Sequence, residues 1–467
     1  MAVSRFFRRK LLVAEGLEIE TGLKRTLSSV DLILLGVGGI IGAGIFVLTG
    51  QAAALHSGPA ILISFILAGI ACGLAAYCYS ELASMIPVAG SAYTYAYVAF
   101  GEVIAWVIGW ALILEFSLGA ATVAIGWSGY LSSFLEGLGF AIPPYLKTAF
   151  SVSVDGGINL PATLVVLALT WVLSRGIKVS SILNMVIVAV KVTVILVFVA
   201  AGAGYINPEN YHPFMPFGFN GVVSGAAVIF FAYIGFDIVA TLAQETKNPQ
   251  RDVPIGILGS LGICTVLYLA VAAVLVGVIS YTELNVPAPI ATALDSIQLG
   301  ILSPIIKIGA IAGLTTAMLG LLLGQNRIFY AMGRDGLLPQ WAAKISPRTG
   351  TPYITTWVVG IFVALISGLS PIGKVSELVS IGTLFAFSLV CGGVLILRYT
   401  QPNAPRVFKV PFFPLLPILG VLANLYLMIG LPQVTWSYFL YWAILGLAIY
   451  LFYGQRHSLL NRAKELV

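Results

Sequence analysis

Apolar positions in this chain fall into long unbroken runs separated by short polar connections. That is the pattern of spanning helices, not of amphipathic ones, whose apolar residues recur every three or four. Twelve runs come near the ~20 residues needed to cross ~30 Å of hydrocarbon. They lie at about 30–50, 59–85, 103–131, 160–175, 179–203, 220–244, 254–280, 303–331, 353–369, 376–398, 413–431 and 436–453, and are called segments 1 to 12. The fourth is short and close to the fifth.

Segment 1 carries five glycines, Gly36, Gly38, Gly39, Gly42 and Gly44, in the stretch from Gly36 to Phe46. Backbone groups in hydrocarbon need partners, so glycines at mid-depth fit a helix that breaks against protein or a water-filled cavity. A break frees carbonyls at the end of the first half and N–H groups at the start of the second, ends suited to an ammonium and a carboxylate. An amino acid carries both. Segment 6 repeats the feature more weakly in Phe231-Ala232-Tyr233-Ile234-Gly235-Phe236-Asp237. Close helix packing through Ala and Gly is the alternative reading of either stretch.

Composition agrees with the pattern: of 467 residues, 59% are hydrophobic and 9% charged, and mean hydropathy is +1.01. Soluble domains carry roughly 25% charged residues. The net charge of +6 does not point to nucleic acid, because the basic residues are scattered through connections and not gathered on one element. With the N-terminus in the cytoplasm, 20 of the 24 basic residues fall in the tails and even-to-odd connections, so both termini are expected there. The N-terminal tail is charged from Arg5 to Lys10 and does not resemble a cleaved signal peptide. Cys72, Cys78, Cys264 and Cys391 all lie in apolar runs, so no disulfide-linked subunit is expected, and the dispersed His56, His212 and His457 give a metal no site.

Ionisable residues inside the runs are costly and need a partner, a cavity or a task. Glu115 and Lys191 each lie about 12 residues from the same face, roughly 18 Å deep at 1.5 Å per residue. They are expected to meet or to share a cavity, with a purely structural ion pair as the alternative. Asp237 lies nearer the cytoplasmic end of segment 6, as a relay or a solvated vestibule group. Tyr268 in segment 7 is expected to donate to this network, and Lys307 to snorkel at the outer end of segment 8.

Three stretches narrow the class: Ile41-Gly42-Ala43-Gly44-Ile45-Phe46, the run from Glu81 to Tyr97 after segment 2, and Glu245-Thr246-Lys247-Asn248-Pro249-Gln250-Arg251-Asp252-Val253-Pro254 after segment 6. Together, in this order, they resemble the amino acid, polyamine and organocation superfamily of secondary transporters. Within it the chain is similar to bacterial members of the cationic amino acid transporter family, a likeness that Arg334-Asp335-Gly336-Leu337-Leu338-Pro339 strengthens. The resemblance implies an all-α integral membrane protein of 12 transmembrane helices, an inverted five-plus-five repeat (the LeuT-like fold) with helices 1 and 6 broken. The expected organisation is a cytoplasmic tail over 1–29, repeats over 30–203 and 204–398, two peripheral helices over 399–453, and a cytoplasmic tail over 454–467.

The resemblance also implies a site. The substrate carboxylate is expected at the N–H groups of Ala43 and Gly44, following Ile40, Ile41 and Gly42. Its ammonium is expected at carbonyls around Ile40, Phe231 and Ile234, beside Ala232 and Tyr233. Phe231 matches the family's gating aromatic, and Ala43 stands where many relatives carry Ser or Thr. Met318 and Leu321 share one helix face and shorten the pocket, which favours a small neutral amino acid such as alanine over a cationic one. Lys191 takes the place of the cation that sodium-coupled relatives bind, so the proton is the expected coupling ion, with Lys191, Glu115, Asp237 and Tyr268 as the coupling set and no cofactor. The expected function is proton-coupled uptake of L-amino acids across the plasma (inner) membrane, with exchange of amino acids or polyamines as the alternative. No constellation for an enzyme or repeated pore element for a channel is present. The expected partners are the amino acid and the lipid bilayer, with lipid or small-protein contacts at segments 11 and 12 left open.

Overall fold

A computed structural model describes residues 25–86, 91–150, 156–176, 181–299, 301–347 and 349–459. The basic tail up to Lys24, the Pro87–Gly90 part of the second motif, Lys178, Arg348 and residues 460–467 lie outside the described residues. Among the described residues the chain is helical, with two isolated bridges and no strand. Among the described residues, helix forms in every one of the apolar segments. Eight helices are long and apolar enough to cross a membrane, and Ser29–Ile40, Leu160–Ser174, Tyr353–Leu369 and Leu415–Ile429 are shorter apolar helices. Segment 9, at Tyr353–Leu369, matches its expected limits, whereas segment 3 runs further, over Glu102–Gly137. Short helices outside the expected set include Ser91–Ala99 and Pro289–Ser296.

Segment 1 starts with a capping box: the Ser28 hydroxyl accepts from Asp31 N–H, and the Asp31 carboxylate accepts Ser28 N–H at 2.8 Å. Its first helix ends at Ile40, Ile41 turns extended (φ −70°, ψ 100°), and helix resumes with the turns of Gly44–Leu48. Segment 6 breaks likewise. Gly218–Ile229 tightens into the 3₁₀ turn Phe230–Tyr233, Ile234 is extended, and Gly235 adopts φ +120° before Phe236–Thr241. Glycine reaches that φ without the Cβ clash an L side chain meets.

The two interruptions pack backbone to backbone. A Cβ on Gly235 would meet the Gly39 carbonyl at 2.7 Å, and one on Gly44 would collide with Ala232 Cα and Cβ. Around them, segment 2 packs on 7, segment 3 on 8 and 10, and segment 4 on 9. Segments 3 and 8 run antiparallel, since Gly324 faces Phe116, Leu321 faces Gly119, and Gln325 Nε2 donates to the Ile113 carbonyl at 3.2 Å.

The motif residues hold the ends of helices together. Glu81 at the end of segment 2 takes a two-pronged bond from Arg398 at the end of segment 10 (2.9 and 2.6 Å), the Val410 N–H, and Arg406 at 3.3 Å. Glu102, opening segment 3, accepts hydroxyls from Tyr97, Tyr450 and Ser458. Tyr93 donates to Asp335 after segment 8 at 2.6 Å, and the Glu245 carbonyl takes the N–H groups of Thr26 and Leu27. Lys307 does not snorkel: it is buried and bonds Asp295 and the Ser133 carbonyl, both at 3.4 Å, because Asp295 on the short Pro289–Ser296 helix supplies the countercharge.

Gly235→Ala places a side chain at positive φ against Gly39. It is expected to cost about 1–3 kcal/mol or more, read as a lower apparent melting temperature of detergent-solubilised protein, while Gly373→Ala, with open space around it, leaves melting unchanged.

Candidate functional site

The carbonyls freed by the two breaks are shared between two side chains. Lys191 of segment 5, fully buried, donates from Nζ to the carbonyls of Gly38 at 2.9 Å and Ile41 at 3.0 Å. Its stem crosses Gly313 of segment 8, where an added Cβ would lie 2.8 Å from Lys191 Cγ. One ammonium therefore joins segments 1, 5 and 8. Tyr268 of segment 7 places its hydroxyl 2.8 Å from the Ile40 carbonyl and 2.9 Å from that of Ala232, bridging the broken ends of segments 1 and 6.

The N–H side of the first break is less occupied. The second half of segment 1 makes its first backbone bond from Phe46 N–H to the Gly42 carbonyl at 3.4 Å. The N–H groups just ahead of it, at Ala43 and Gly44, are those that a helix start leaves without an i−4 partner. In segment 6 the Phe231 carbonyl accepts Ile234 N–H at 3.2 Å, and Tyr233 points away from the break, its hydroxyl donating to the Phe65 carbonyl at 3.0 Å.

Apolar side chains close the space between the breaks. Phe231, Ile234 and Leu321 keep residual exposures of 6%, 6% and 7% at the heart of the bundle, the mark of a small internal gap, while Met318 on the same helix has none. Gly42 faces Ala317.

Glu115 and Lys191 do not pair. Among the described residues no ion pair involves either; Lys191 is satisfied by carbonyls, while Glu115 lies beside Asp237. Helix rotation decides this, because equal depth on two segments does not turn two side chains toward each other. Asp237 is also not a vestibule group: it is fully buried in the first turn after Gly235. The carboxyl oxygens of Glu115 and Asp237 accept no hydrogen bond of ordinary geometry, although Thr383 and the backbone at 235–238 are near.

Sequence reasoning missed the acceptors of Lys191, its seat on Gly313, and the neighbourhood of Gly119 and Thr383. Gly313 and Gly119 stand in the sequence only as two of 50 glycines.

A family model described as "Amino acid permease" matches residues 27–449. The chain is 46% identical, over 98% of its length, to a methylthioribose transporter of Bacillus subtilis (strain 168), all of which it covers. It is 47% identical, over 95% of its length, to a branched-chain amino acid permease of the same organism, covering 96% of that protein. A vacuolar cationic amino acid transporter of Arabidopsis thaliana is 35% identical over 94% of this chain and 93% of its own.

Tyr268→Phe removes the single O–H donor that the Ile40 and Ala232 carbonyls share across the two breaks. The expected cost is about 1–3 kcal/mol, seen as lower thermal stability together with impaired transport, whereas Tyr426→Phe on the exposed face of segment 11 changes neither.

Proposed function

The chain belongs to the amino acid permease family, a family of multi-pass membrane transporters and not of enzymes, and from that premise we propose that it takes up neutral L-amino acids with aliphatic side chains by proton-coupled alternating access. The observation that carries the reading is the meeting of the two interrupted helices, with Ala43 and Gly44 N–H groups at one end of the gap and carbonyls at the other. Main-chain groups of that kind recognise what every α-amino acid shares and leave side-chain choice to the walls.

Those walls discriminate between the names of the two similar bacterial relatives. A ribose-based ligand brings hydroxyls that need buried partners, and a site without them pays for each one left unpaired. Phe231, Ile234, Ala317 and Leu321 offer apolar surface, which favours an aliphatic amino acid, whereas Met318, expected to shorten the pocket, is fully buried and offers none. Among the described residues, the Leu321 side chain itself offers a cationic substrate no acceptor.

The architecture proposed is twelve crossings in two inverted five-helix repeats with both termini in the cytoplasm. Support comes from packing: segments 1 and 6 share their breaks, and segments 2, 3 and 4 pack on 7, 8 and 9. Further support comes from the motif contacts, which gather the ends of even segments and the starts of odd ones on one face. Coupling is assigned to Lys191. Its ammonium does what a cation would do between segments 1, 5 and 8, so loss of its proton releases the Gly38 and Ile41 carbonyls and loosens the first break. Glu115 and Asp237 are proposed to hold a proton between them on the other side of the gap.

Proteoliposomes without internal substrate, given an inward proton gradient and no sodium, are expected to concentrate alanine and to be inhibited by valine or leucine but not by methylthioribose. Uptake that required internal amino acid, or inhibition by methylthioribose alone, contradicts the reading. Lys191→Ala is expected to reduce accumulation to the equilibrium level while exchange persists. Leu321→Ser is expected to let arginine compete about tenfold better, measured as inhibition of alanine uptake.

A further inference from the structure

We propose that the groove between segments 3 and 4 is a lipid site: it receives one acyl chain of a bilayer phospholipid, whose headgroup lies at the Lys147–Glu136 pair beside its mouth. The site belongs to the membrane-facing surface and stands apart from the uptake reading above.

A cavity of about 470 Å³ opens there, within the ~300–1,000 Å³ of sites that hold small molecules. Helix spacing gives it an elongated form. Leu160, Leu164 and Ala168 follow one turn apart on segment 4, and Trp127 and Leu131 one turn apart on segment 3. The longer row runs for about 12 Å along its helix. Leu146, in the connection between the two segments, lines the end nearer Leu160. The side away from the bundle is open, for Leu160 is 38% and Leu164 55% exposed.

The lining decides what can fill the groove. It is hydrocarbon almost throughout. Its one indole N–H, on Trp127, is turned to Thr315 of segment 8, whose hydroxyl accepts it at 3.0 Å. Water needs several polar partners to remain in a cavity, and an amino acid, sugar or nucleotide would leave its polar groups unpaired there. Lipid tails are as apolar as leucine, so removal from water is not what holds a chain in place. Shape is: an unfilled groove deprives its lining of dispersion contacts on one side. Inside a bilayer, the slender hydrocarbon at hand to restore them is an acyl chain.

The mouth favours a phospholipid over a neutral lipid. Lys147, next to Leu146, pairs with Glu136 at 2.6 Å, and the two side chains stay 31% and 43% exposed. An ammonium and a carboxylate side by side complement a headgroup that carries a phosphate and an amine. Phe140, Tyr145 and Phe150 stand exposed on the same connection, and aromatic rings at a membrane boundary sit at headgroup level. The outward face of segment 12, with Leu440, Tyr441 and Ile444 exposed, is the reference for lipid that merely surrounds the protein.

The test places the full chain in vesicles containing a trace of phosphatidylethanolamine with a photoactivatable diazirine at the end of one acyl chain, and identifies labelled peptides by mass spectrometry. Labelling of residues 160–168 is expected to exceed that of the segment 12 face about tenfold, equivalent to about 1.4 kcal/mol of preference. Ala168→Trp and Leu164→Trp fill the groove from its open side. Each is expected to abolish the excess while leaving melting temperature and segment 12 labelling unchanged. A diacylglycerol probe with the same chain is expected to label the groove less than the phospholipid does. Equal labelling of the two faces in wild type, or an excess that persists in both variants, overturns the site and leaves surrounding lipid only. Equal labelling of the groove by the two probes overturns the assignment of the headgroup.

Discussion

Inside a bilayer no water is present to satisfy a backbone that leaves the helix, so each interruption must be repaired by other parts of the protein. Two side chains make most of that repair here. Lys191 takes the carbonyls of Gly38 and Ile41, and the Tyr268 hydroxyl serves Ile40 and Ala232. The remainder of the fold brings these two groups to the break: segment 5 beside segment 1, segment 7 behind both interruptions, and segment 8 with Gly313 clearing a path for the lysine stem. An ammonium that bonds two carbonyls in this way holds both sides of the first break to segment 5.

The division of labour between segments follows from packing. Segments 3 and 8 lie antiparallel, with glycines such as Gly126, Gly313 and Gly324 where a side chain of a neighbouring segment comes close. Along segment 8, Gly313, Ala317 and Leu321 follow one turn apart and face Lys191, Gly42 and Gly119 in turn. At the far ends, Glu81 and Glu102 clasp several helices through buried carboxylates, so the motifs that mark the chain serve the assembly of its termini rather than the substrate.

Much of this architecture is legible in the order of the amino acids. Unbroken apolar runs have one physical use at such length, and the glycine cluster of segment 1 has few. Segment 9 and the two interruptions lie where the hydropathy and glycine patterns place them. The pairing of Glu115 with Lys191 does not form, Lys307 does not snorkel, and of the two readings of Asp237 the solvated vestibule group is overturned by its burial. Depth can be counted along one helix, but partners depend on how each helix is turned and on what a connection such as Pro289–Ser296 brings alongside.

The sequence by itself determined the membrane class, the segments and the two places where helix gives way, because hydropathy and glycine content are local properties that act wherever the chain is. Only the tertiary structure decided which carbonyls Lys191 holds, that Glu115 neighbours Asp237, and that Gly119 packs opposite Leu321. Those are facts about distances between segments far apart in the chain, set by rotation and register when the helices pack.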